Sequence, residues 1–183
     1  MARVVVVYGP RGAGKTTATL RLAEKFGAQG LRVGGFFQRT TTDDLDRRGY
    51  DLVRVADKTA AVPLARPGVP KDQATESSVC SFVFAREAFV KGLEWLRADA
   101  AWADVLVIDE VSKLEVSGEG HFAALRWAAA LEARMIVLLS VRAEQLFYVV
   151  EKFELEERIS GYVELPATDA ELAGLTLRLA PLP

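Results

Sequence analysis

Gly9-Pro10-Arg11-Gly12-Ala13-Gly14-Lys15-Thr16 follows directly on Arg3–Tyr8 (RVVVVY) and opens a helical stretch running from Lys15 to about Ala28. The RVVVVY run is of strand length, and its unbroken apolarity suits a parallel strand covered on both faces. The octapeptide matches G-x-x-x-x-G-K-[ST], and it stands between a first strand and a first helix, where that pattern has a mechanism. Its glycines let the backbone wrap closely round a phosphate chain where side chains would block it. Successive N–H groups then point inward, and the helix N-terminus adds partial positive charge. Gly9, Pro10, Arg11, Gly12, Ala13, Gly14, Lys15, Thr16 and Thr17 are therefore the expected nucleotide-binding segment. Lys15 is expected on the β- and γ-phosphates of a nucleoside triphosphate, and the Thr16 hydroxyl on Mg2+.

A second signal lies 93 residues beyond Thr16, in Val105-Leu106-Val107-Ile108-Asp109-Glu110, four apolar residues followed by two acids. A buried parallel strand presents its C-terminal residues at the ligand edge of the sheet. Asp109 is expected to hold magnesium through the water shell that this ion retains. Glu110 is expected to orient or deprotonate the attacking water, which favours hydrolysis; a kinase must instead exclude water and admit an acceptor. The interval also leaves room for an extra strand between the two motif strands.

Ser140 ends the next apolar run (MIVLLSV), where its hydroxyl is placed to sense the γ-phosphate or the water. Arg142, two residues on, is the candidate to offset charge on the transferred phosphoryl group, with Arg11 as a second candidate. Lys113 either touches phosphate or pairs with Glu115. His121, the sole histidine, has no partner at metal-ligand spacing, so a surface or packing role is expected.

Strand-like and helical stretches alternate along the rest of the chain. Strands are expected at Leu31–Phe37, Val79–Phe84, Ala103–Ile108, Met135–Val141 and Tyr162–Leu165, and helices at Glu87–Ala100, Phe122–Ala133 and Ala143–Phe153. Tyr50–Ala56 alternates with period two and reads as a hairpin strand, with Thr41–Gly49 as its exposed turn. Residues 66–78 read as a loop, and a weak element closes the chain. The alternation predicts a mostly parallel sheet wrapped by helices on both faces.

The 183 residues amount to one domain, half of them hydrophobic, with acids and bases interleaved to a net charge of −2. No basic cluster points to nucleic acid or membrane. The lone cysteine, Cys80, expected as a small buried strand residue, permits no internal disulfide, and nothing resembles a signal peptide. A cytoplasmic setting is the expectation.

Taken in order, several segments resemble the small thermostable nucleoside-triphosphatase family, which includes the cancer-related nucleoside-triphosphatases of animals. They are Gly9–Thr17, Val33-Gly34-Gly35-Phe36-Phe37, Arg48-Gly49-Tyr50-Asp51-Leu52 with Leu64-Ala65-Arg66, and Val107-Ile108-Asp109-Glu110 with Lys113-Leu114-Glu115. The resemblance implies an α/β P-loop NTPase fold of the RecA-like (ASCE) kind. That fold is a single three-layer αβα domain over 1–183, its mostly parallel central sheet carrying an added β-hairpin at about 39–65. It also implies slow, magnesium-dependent hydrolysis of several nucleoside triphosphates to diphosphates, with Lys15, Thr16, Asp109 and Glu110 in the roles given above. The chain departs from the family after the fourth core strand, reading Ser140-Val141-Arg142 where a Thr-x-His-Arg-like run is usual.

Two other classes compete. A P-loop kinase or an adenosyl or nucleotidyl transferase would share the Gly-Lys-Thr-Thr loop and a later Asp-Glu, but no arginine-rich acceptor lid is visible. A non-catalytic switch would dock a protein partner according to its bound nucleotide. The chain contains no asparagine, so guanine reading by Asn-Lys-x-Asp is excluded, and the lack of a base reader fits ATP, GTP, CTP and UTP alike.

Overall fold

The computed structural model describes residues 1–46, 48–68 and 82–179. The expected positions of Cys80 and of most of the 66–78 loop lie outside the described residues.

Among the described residues, eight strands form one sheet, in the order β5-β4-β3-β2-β6-β7-β1-β8. These are β1 (Arg3–Gly9), β2 (Val33–Thr42), β3 (Arg48–Arg54), β4 (Ala61–Pro67), β5 (Phe82–Phe84), β6 (Val105–Val111), β7 (Ile136–Arg142) and β8 (Ile159–Glu164). The pairs β2·β6, β6·β7, β7·β1 and β1·β8 are parallel, and β3, β4 and β5 continue the sheet antiparallel from β2. As the 93-residue interval anticipated, β7 lies between β1 and β6.

Among the described residues, six α-helices accompany the sheet: α1 (Lys15–Ala28), α2 (Arg86–Asp99), α3 (Lys113–Val116), α4 (Phe122–Ala129), α5 (Leu146–Lys152) and α6 (Asp169–Leu179). The unbroken apolarity of β1 has a direct cause. Val5 and Val7 point into one core with Leu22 and Phe26 of α1 and Leu172 and Leu175 of α6. Val4 and Val6 point into the other, with Leu96 of α2, Leu125 of α4 and Val149 of α5. Burial on both faces removes the polar–apolar alternation of a half-exposed strand.

The antiparallel flank is larger than one added hairpin. Strand β2 runs on through Thr42, which faces Arg48, so the turn is shorter than Thr41–Gly49. Ala61–Pro67, read as no strand from sequence, pairs with β3, and Pro63 sits beside a register shift at Tyr50/Asp51. A proline inside a run argues against a strand, but a ladder irregularity tolerates it. Phe82–Phe84 joins this flank through β4, not the parallel core. The weak C-terminal element is the helix α6. Among the described residues, no helix is long and apolar enough to cross a membrane.

Candidate functional site

Four of the five parallel strands, β1, β2, β6 and β7, each deliver part of the site. The turn after β1 carries the glycine loop. Gly12 and Gly14 sit at φ +81° and +83°, left-handed values that favour glycine, and a Cβ on either would meet nothing within 4 Å. Conformation, not crowding, thus selects glycine at both positions. The Ala13 amide bonds the Pro10 carbonyl at 3.2 Å, closing the loop, and α1 begins at Lys15.

Lys15 is buried at 5% exposure and curls back across its own loop, its Nζ donating to the Pro10 carbonyl at 3.1 Å. The same Nζ is 3.8 Å from Oε1 of Glu110. Thr16, one residue on, donates its hydroxyl to Oδ2 of Asp109 at 2.8 Å. Thr17 is exposed on the outer side of the helix start, and Arg11 is exposed in the loop.

Asp109 is fully buried. Its Oδ2 also accepts the Gln38 amide of β2 at 3.1 Å, and its Oδ1 accepts the hydroxyl of Ser140 of β7. Burial pushes its carboxyl above the usual carboxylate range, the Glu110 charge adds to that, and the bonds from Ser140, Gln38 and Thr16 oppose it. Ser140 therefore acts on the carboxylate that faces Thr16. Glu110 is held from the far side by Arg142 at the end of β7, whose Nε lies 2.7 Å from Oε1. The structure thus gathers Lys15, Thr16, Asp109, Glu110, Ser140 and Arg142 at one place, although three separate stretches of chain supply them.

Sequence reasoning missed two features. Glu115 does not pair with Lys113. It is buried, and its two oxygens accept the Ser112 and His121 amides, both at 2.8 Å, pinning the loop between β6 and α4. Ser112-Lys113-Leu114-Glu115 fits the capping-box spacing, which was the available signal. Gly120 is required next to it, because a Cβ there would fall 2.3 Å from Oε1 of Glu115. The second feature is a cavity of about 240 Å³ beside Glu110, which also borders Arg11, Lys113 and Arg142. His121, buried at 1% exposure, packs as expected, but it does so against this cavity.

Residues 4–165 match the family model described as NTPase. The mouse (Mus musculus) cancer-related nucleoside-triphosphatase homolog is 31% identical over 132 residues, covering 69% of this chain and 68% of that protein. The solution structure of a human cancer-related nucleoside triphosphatase superposes with a TM-score of 0.68 at 26% identity, covering 97% of this chain and 95% of the other. THEP1 from Aquifex aeolicus, at 17% identity and a TM-score of 0.65 over 97% of this chain and 99% of its own, shares the fold. The glycine loop heading α1, the Asp109–Glu110 pair on β6 and a family match spanning most of the sequence agree: the chain belongs to the NTPase family and has the P-loop NTPase fold.

Proposed function

We propose that this protein hydrolyses nucleoside triphosphates, ATP and GTP and by extension CTP and UTP, to diphosphate and phosphate, with Mg2+ as cofactor and in the cytoplasm. One observation carries the reading: the buried Lys15 ammonium, the Thr16 hydroxyl and the Asp109 and Glu110 carboxylates converge at the head of one helix. The mouse and human relatives are named for nucleoside-triphosphatase activity, which agrees with it.

The donor set fits magnesium. Asp109 and Thr16 offer two hard oxygens 2.8 Å apart. Among the described residues no group of three or more His, Cys, Asp or Glu is disposed to hold a metal. Magnesium needs no such cage, since it takes one or two protein ligands and keeps waters and substrate phosphates. When bound, it would neutralise charge developing on the β- and γ-oxygens.

The chain's own residues supply the rest. The loop amides and the start of α1 cradle the phosphates. Lys15, already buried, can exchange its Pro10 contact for phosphate oxygen. Glu110 accepts the proton of the attacking water. Arg142 reaches Glu110 through Nε, and among the described residues no hydrogen bond uses its terminal nitrogens, which leaves them to meet the transferred phosphoryl group.

Purified protein incubated with each triphosphate and magnesium should release phosphate with no added acceptor. Lys15→Ala and Glu110→Gln should each abolish release, and Glu110→Gln should still bind nucleotide. Phosphate transfer only in the presence of an acceptor would favour the transferase class, and tight binding without turnover the switch.

A further inference from the structure

Glu110 has two carboxylate oxygens, and the fold engages one of them. Arg142 Nε donates to Oε1 at 2.7 Å, and Lys15 Nζ stands 3.8 Å from the same atom. Among the described residues no hydrogen bond or ion pair reaches Oε2. That oxygen is the one left to take a proton from water. A base alone, however, leaves the water free to turn about a single hydrogen bond. Aiming its lone pair at phosphorus requires a second acceptor for its other proton.

Gln38 of β2 stands where such an acceptor is needed. Its main-chain amide donates to Oδ2 of Asp109 at 3.1 Å, which fixes the residue beside the acids of β6. In the parallel ladder of β2 and β6 the last pair is Phe36 with Ile108, so Gln38 and Glu110 each lie two residues beyond it. Both border the cavity of about 240 Å³ next to Arg142. Alternation along the strand puts the Gln38 side chain on the same face as Phe36. Gln38 is half-buried, and among the described residues no hydrogen bond uses its carboxamide. The carboxamide oxygen accepts hydrogen bonds but is too weak a base to take a proton.

We propose that Gln38 is a further catalytic residue, whose side-chain oxygen orients the water that Glu110 activates; this rests on the hydrolase reading. The water lies between the two side chains, donating one hydrogen bond to Glu110 Oε2 and the other to Gln38 Oε1. As its oxygen bonds to the γ-phosphorus, the bond from phosphorus to the β–γ bridging oxygen breaks. The first proton passes to Glu110, and the second stays on the new phosphate. Gln38 thus serves the site twice: its backbone braces the carboxylate assigned to magnesium, and its side chain holds the water.

Mutation separates the two roles, because Gln38→Leu and Gln38→Ala remove the side-chain acceptor and keep the amide that bonds Asp109. Single-turnover hydrolysis of ATP with magnesium should slow on the order of 10²-fold in both, the cost of a misplaced reactant. Their Kd for ATP and the magnesium concentration for half-maximal rate should stay within about twofold of wild type. Their melting temperatures should still rise on binding nucleotide, which shows that they fold. Gln38→Glu keeps an acceptor oxygen at the same reach, and Arg11, Lys113 and Arg142 around the cavity offset the added charge. Above neutral pH it should recover roughly tenfold of the loss, as a hydrogen bond to a charged acceptor allows. An unchanged rate in Gln38→Leu and Gln38→Ala, an equal loss in Gln38→Glu, or a raised magnesium requirement would each overturn the proposal and leave the hydrolase reading standing. No phosphate release by the wild type would overturn both.

Discussion

Arg142 shows how much one side chain can be asked to do. Its Nε holds Oε1 of Glu110 at 2.7 Å, while Lys15 approaches the same oxygen at 3.8 Å. A guanidinium can hold a carboxylate with one nitrogen and present others to phosphate, whereas an ammonium is a single point of charge. Arg142→Ala should therefore lower kcat by about 10³-fold, at the low end of what such an arginine contributes. Arg142→Lys should recover little of it, and KM should change far less than kcat. Steady-state kinetics on the two variants checks this; full rescue by lysine would mean that charge alone matters. His121 gives a second prediction at this scale. Its pKa falls to about 3 from an ordinary 6.5, through burial. The neutral ring is favoured in the fold, so its contribution is fully present above pH 6.5 and is lost as pH falls toward 3, on the order of 5 kcal/mol in total. Urea unfolding of wild type and His121→Phe across that window should show a smaller acid loss in the variant. Neither His121's burial nor its neighbours were visible in the sequence, because Phe36, Phe89 and the Gly120 turn come together only in the folded chain.

Among the elements, β2 explains why a family resemblance can rest on residues that do no chemistry. Gly35 sits at φ +95°, and a Cβ there would lie 2.2 Å from the Val107 carbonyl of β6. A Cβ on Gly34 would lie 2.5 Å from the Asp99 Cβ at the end of α2. Asp99, fully buried, accepts the Gly35 amide at 2.8 Å and is paired with Arg54 of β3. The glycine pair therefore lets α2, β2 and β6 approach closely, and β2 in turn brings the Gln38 amide to Asp109. Gly35→Ala combines backbone strain with a clash against main chain and should destabilise the fold by about 3 kcal/mol or more. A denaturant midpoint unchanged from wild type would contradict it. The parallel strands were legible because burial on both faces leaves an unbroken apolar run. The antiparallel flank was harder to read: Thr40, Thr41 and Thr42 extend β2 beyond the cores, and Pro63 masks β4. Similarly, the sequence offered Glu115 only as a candidate partner for Lys113, whereas it accepts the Ser112 and His121 amides.

For the molecule as a whole, the strand order matters more than any single contact. The loop after β1, the acids on β6 and Ser140 and Arg142 on β7 lie on three adjacent strands, with Gln38 on the next. The site was legible in outline because each motif closes an apolar strand, and parallel strands bring such ends to one edge. What the sequence could not supply was adjacency: nothing local says that residue 142 pairs with residue 110. Since the central strands carry the site, a ligand that binds only the folded chain should stabilise the whole sheet. At a nucleotide concentration 100-fold above Kd that linkage contributes about 2.7 kcal/mol. For a domain of this size it should raise the melting temperature by roughly 5–10 °C. The shift should require magnesium, should disappear with a chelator and in Lys15→Ala, and should persist in Glu110→Gln, which keeps the cradle and Asp109 intact. If instead Glu110→Gln lost the shift along with turnover, Glu110 would be needed to bind substrate, and its assignment to the water would have to be withdrawn.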